Sequence, residues 1–66
     1  MKQNTIVAIW LAYARLQQTA ADLYQAAEAA LENDDFDDAS LLASRADKLY
    51  EEAENLEILI AELEEE

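Results

Sequence analysis

The stretch ASLLASRADKLYEEAENLEILIAEL, residues 39–63, sets Ala39, Ala46, Ala53 and Ile60 seven residues apart and follows each, three residues on, with Leu42, Leu49, Leu56 and Leu63. Four heptads of this kind put one continuous apolar stripe along a helix and predict coiled-coil packing against another helix. Upstream, Ile6, Ile9, Tyr13, Leu16, Ala20, Leu23, Ala27 and Ala30 recur in alternating steps of three and four. That spacing predicts a first helix with a matching stripe. Asn4 or Thr5 is expected to cap its start, a side-chain oxygen accepting from a free first-turn amide.

Between the two stripes the apolar rhythm breaks once, at Glu32-Asn33-Asp34-Asp35-Phe36-Asp37-Asp38. With no glycine in the chain, Asn33 is the expected residue to take the left-handed conformation that ends a helix. Asp34 or Asp35 then caps the second helix, and Asp37 and Asp38 fall in its first turn, where the helix dipole favours negative charge. A calcium loop would need spaced oxygen ligands, a central glycine and a closing bidentate glutamate, and the segment has none of these. The expected layout is one domain, 1–66, with a helix over 5–32, a turn at 33–35 and a helix over 36–64.

So short a turn makes the helices antiparallel. The alanine-rich parts, 26–30 and 39–46, then meet beside the turn. At the open end Ile6, Ile9, Trp10 and Tyr13 are expected opposite Leu56, Leu59, Ile60 and Leu63, which matches volume end to end. Lys2 would come near Glu64, Glu65 and Glu66, an exposed pairing of about 0.5 kcal/mol.

The composition excludes several classes of function. Sixteen acidic residues against four basic ones give a formal charge of -12, and a nucleic-acid binder needs the basic footprint that this chain lacks. An anionic membrane surface is disfavoured for the same reason. The chain has neither Cys nor His, so disulfides and ordinary zinc, haem or iron-sulfur sites are not expected. Disorder conflicts with an apolar content of 53%. The apolar run 6–14 follows Lys2, and Ala12-Tyr13-Ala14 has the form of a signal cleavage site. The helical rhythm passes through that point in phase to Ala30, and nine residues are too few for a membrane span; a cytoplasmic location is expected.

A hairpin needs one apolar stripe per helix, and the first helix has a second. Val7, Trp10, Ala14, Gln17, Ala21, Tyr24, Glu28 and Leu31 follow the same spacing one step round, six of the eight apolar or aromatic, with Leu11 beside them. Surplus width of this kind marks an association surface, so Val7, Trp10, Leu11, Ala14, Ala21, Tyr24 and Leu31 are the candidate interface. Charge is divided accordingly: residues 1–33 carry a net -1 and residues 34–66 a net -11. Packing the second helix on its own copy would oppose like charges, so a dimer burying helix one against helix one is expected. The competing expectation is a monomer whose Trp10 and Tyr24 curl over the hairpin edge.

Catalysis has little to work with. Ser40 and Ser44 have no evident base partner. Bundles that hold two metals pair inward glutamates with histidines, and here no Asp or Glu occupies an inward heptad position of either helix. No enzyme activity, cofactor or metal is expected. Glu28, the one acid on the second stripe, suits a rim or recognition charge.

Residues 23–46 resemble the helix-turn-helix of a tetratricopeptide repeat: Leu23, Ala26, Ala27 and Ala30 match its first helix, and Phe36, Ala39, Ala43 and Ala46 its second. Glu51 stands where the repeat's terminal proline would be, and no second repeat follows to stack into a peptide-binding groove. The overall plan, with Arg45-Ala46-Asp47-Lys48-Leu49-Tyr50 the most similar stretch, is similar to Rop-type plasmid copy-number regulators. That resemblance implies a dimeric four-helix bundle. It does not extend to their RNA binding, which uses a basic face that helix one lacks. The reading is thus an all-α antiparallel hairpin acting as a non-enzymatic, self-associating interaction or assembly module. An adaptor, chaperone or inhibitor that binds another protein through helix one is the alternative. The strict heptads and missing Gly, Pro, His and Cys also fit an engineered scaffold without natural activity.

Overall fold

The structure, a computed structural model, describes residues 2–65, with the side chain of Lys2 also outside the described set. It consists of two helices, α1 (Lys2–Glu32) and α2 (Phe36–Glu65), with no strand among the described residues. Helix α1 begins three residues before the expected start, so Asn4 and Thr5 lie inside its first turns rather than at a cap. Helix α2 runs one residue past its expected end. The anticipated pairing of Lys2 with residues 64–66 lies outside the described residues.

The turn is built from backbone hydrogen bonds. The Asp35 amide donates to the Ala30 carbonyl at 2.8 Å and the Asp34 amide to Leu31 at 3.0 Å, the paired bonds that close a helix through one left-handed residue. That residue is Asp34, at φ 61°, and not Asn33 as its side-chain chemistry suggested. Asn33 instead donates its side-chain amide at 3.1 Å to the Ala29 carbonyl, which also accepts from the Asn33 backbone amide at 3.3 Å. Of the two candidate caps for α2, Asp35 holds the place, because its carbonyl accepts the first α2 bond, from the Ala39 amide at 3.0 Å. Asp37 and Asp38 follow in the first turn.

Every heptad position read from the sequence faces the partner helix. Ala20, Ala27, Ala39, Ala46, Ala53 and Ile60 are buried, and Ile6, Ile9, Tyr13, Leu16, Leu23, Ala30, Leu42, Leu49, Leu56 and Leu63 are half-buried. At the open end the volume match is partial: Trp10 and Leu59 turn outward, 45% and 40% exposed.

Among the described residues Ile60 is the only large side chain that is fully enclosed. A buried alanine methyl contributes about 0.8 kcal/mol and a buried leucine or isoleucine about 1.5–3 kcal/mol, so a closed core made of alanines is a weak one. The shape explains why. The Cα trace measures 50 × 14 × 9 Å with a radius of gyration of 15.2 Å, against about 11 Å for a compact chain of this length. Two helices side by side form one layer, and a closed core requires two.

Candidate protein interaction face

Both helices contribute to one broad face of the hairpin. Near its middle the Tyr24 ring of α1 stacks on Tyr50 of α2, centroids 5.9 Å apart and planes 27° from parallel. The Tyr24 hydroxyl donates to Asp47 Oδ1. Toward the open end Trp10 packs edge-on against Tyr13, centroids 5.3 Å apart at 87°. The Tyr13 hydroxyl reaches across to Glu57 Oε1 at 2.5 Å and accepts from Gln17 Nε2 at 2.9 Å. Tyr24, one step off the heptad stripe, is long enough to span the seam, and Tyr13 spans it from the stripe itself.

The bond to the Glu57 carboxylate raises the Tyr13 pKa above its ordinary value. Partial desolvation and the negative charges of Glu57 and Glu54 act in the same direction, while the Gln17 amide opposes them. Each of these influences other than the Gln17 amide favours the neutral phenol.

Toward the turn the same face opens into a groove of about 410 Å³, lined by Tyr24, Ala27, Glu28 and Leu31 from α1 and by Phe36, Ala39, Ser40 and Ala43 from α2. Alanine makes this groove: the methyls of Ala27, Ala39 and Ala43 leave space that larger side chains would fill. A second, acidic hollow of about 340 Å³ lies among Asp34, Asp35, Phe36, Asp37 and Asp38. Two of these carboxylates, Asp37 and Asp38, fall in the first turn of α2, where the helix dipole favours negative charge. Among the described residues no group of three or more His, Cys, Asp or Glu is placed to hold a metal ion, and no helix is long and apolar enough to cross a membrane.

The expected interface residues divide into two sets. Val7, Trp10, Leu11 and Leu31 are 45–55% exposed, and Ala14 is exposed as well. Ala21 and Tyr24 are half-buried, Tyr24 by its contacts with α2 rather than by α1 itself. Leu11 sits at the outer edge, next to Val7 one turn away. What the sequence reading left out is the share of α2: Phe36, Ala43 and Tyr50 recur at steps of seven on the same face, a signal overshadowed by the stronger Ala/Leu heptads beside it. Phe36 is 63% exposed. No protein-family model, no curated protein and no solved structure matches this chain.

Proposed function

We propose that the protein is a non-enzymatic association module whose broad aromatic face packs against a second copy to complete a four-helix bundle. The observation that carries this reading is the pairing of an almost all-alanine enclosed core with Val7, Trp10, Leu31 and Phe36 left 45–63% exposed. A single layer gains little by folding alone, and a second layer laid on this face would enclose the side chains that contribute most per residue. The broad face measures about 700 Å² from the Cα extents of 50 and 14 Å. Two such faces total about 1,400 Å², inside the range of stable interfaces.

One observation favours a second reading, a different protein as the occupant. Glu28, Asp47, Glu54 and Glu57 border the face, whereas helical spacing turns Arg15, Arg45 and Lys48 toward the opposite side. An amphipathic helix with cations flanking its apolar stripe would complement that border.

Trp10, the only tryptophan, reports on the difference. Self-association shifts its emission to shorter wavelength as the pure protein is concentrated from nanomolar to high micromolar. An emission maximum that stays constant over that range, with helical content unchanged, rejects the self-associating reading.

A further inference from the structure

We infer that the two copies meet about a two-fold axis running parallel to the helices, so that both turns lie at the same end and α1 of each copy packs on α2 of the other. This rests on the self-association proposed above and fixes what that proposal leaves open. Two face-to-face arrangements of antiparallel hairpins are symmetric. In one, the axis runs along the helices and every residue keeps its level. In the other, the axis crosses them, which reverses levels and lays α1 on α1 and α2 on α2.

The cross-strand contacts supply the levels needed to choose. The Tyr13–Glu57 bond sets Glu57 level with residue 13 of α1, and the Tyr24–Asp47 bond sets Asp47 level with residue 24. Glu54 lies about one turn nearer the hairpin turn than Glu57, and Glu28 lines the turn-end groove with Ser40 and Ala43. With levels kept, Glu57 and Glu54 of one copy face the region of Trp10, Ala14 and Gln17 in the other. Asp47 faces Ala21 and Tyr24, and Glu28 faces Ser40 and Ala43. Every border carboxylate then meets uncharged side chains.

With levels reversed about the middle of the face, Asp47 of one copy falls on the Glu54–Glu57 segment of the other, twice over by symmetry. No lysine or arginine among the described residues is placed on this face to offset that repulsion. Like charges directly opposed across an interface are costly, and specificity commonly arises from such exclusions. The sequence-based expectation of α1 against α1 treats the face as belonging to one helix. Once Tyr50, Phe36 and Ala43 share it, keeping the acidic helices apart requires α1 on α2, with the two α2 helices on the diagonal of the bundle.

The chain has no cysteine, so single-cysteine variants take one spin label per copy. Asp37→Cys labels the turn end and Glu65→Cys the open end, both exposed and at the same heptad position away from the aromatic face. Pulsed electron-electron resonance on the dimer should give one distance population at each site, on the order of 15–30 Å, from neighbouring and diagonal helix spacings plus the label arms. The crossed axis would separate the same labels by about 40 Å or more, at 1.5 Å per residue. Long distances at both sites in a protein that sediments as a dimer overturn this arrangement while leaving self-association standing. Mixed short and long populations overturn it too, because the charge argument admits one arrangement. A labelled protein with wild-type helical content and no intermolecular distance, monomeric at every concentration, overturns both.

Discussion

Tyr24 and Tyr50 stack across the hairpin with centroids 5.9 Å apart, which turns two separate helix surfaces into one aromatic face. Tyr24 is anchored a second time through its hydroxyl on Asp47. Trp10 instead packs edge-on against its neighbour Tyr13 one turn away in the same helix. Substitutions at the two aromatics therefore have different expected consequences.

Trp10→Ala should weaken association by about 2 kcal/mol or more, the scale of a buried aromatic anchor, while helical content stays near wild type. Leu41→Ala should leave the association constant nearly unchanged, because Leu41 is 64% exposed and off both stripes. Tyr24→Ala should lower both association and melting temperature, since it also removes the stack on Tyr50. Sedimentation and circular dichroism on the three variants check this ordering.

Raising the pH through the tyrosine range should destabilise the fold through Tyr13. Its pKa is raised above 10.0 in the folded chain, so the stabilisation is present in full below about pH 10 and is lost as pH climbs through the folded value. Tyr13→Phe removes the hydroxyl that donates to Glu57. Its melting temperature should fall less between pH 9 and 11.5 than that of the wild type, in a thermal series followed at 222 nm. An equal fall in both proteins would mean that the bond to Glu57 contributes nothing.

Asp34→Gly should raise stability by about 1 kcal/mol. A left-handed conformation costs a non-glycine residue roughly 1–2 kcal/mol, part of which the extra freedom of glycine in the unfolded chain offsets. The substitution also removes a negative charge beside the C-terminus of α1, where the dipole disfavours it. Asp34→Val, β-branched and strained at φ 61°, should shift the urea midpoint the other way.

Added salt should raise the melting temperature and tighten association. Residues 34–66 carry thirteen acidic and two basic side chains, and screening relieves their mutual repulsion. A melting temperature that falls steadily from 20 to 500 mM sodium chloride would show that specific ion pairs outweigh it.

The helices and their seam were legible because a period of 3.5 with alanine and leucine in strict alternation leaves a chain only one way to bury its apolar side chains. The turn was legible in place but not in detail. Asn33 and Asp34 both tolerate the left-handed region, and which one adopts it depends on where α1 makes its last bonds, a difference of one residue in backbone geometry. The aromatic face was half legible. The second stripe of α1 stands out in a list of residues, whereas Phe36, Ala43 and Tyr50 alternate with Ser40, Asp47 and Glu54 and look solvent-facing until Tyr24 is seen lying on Tyr50. Lateral reach across a seam is a property of rotamers and of helix separation, and periodicity carries neither.

Equilibrium sedimentation of the unmodified protein over a thousandfold range of concentration tests the self-associating reading most directly. The expected result is a reversible approach to twice the 7.4 kDa chain mass, without higher species, as concentration rises. A single species at the chain mass up to several hundred micromolar, with both helices formed, would contradict it.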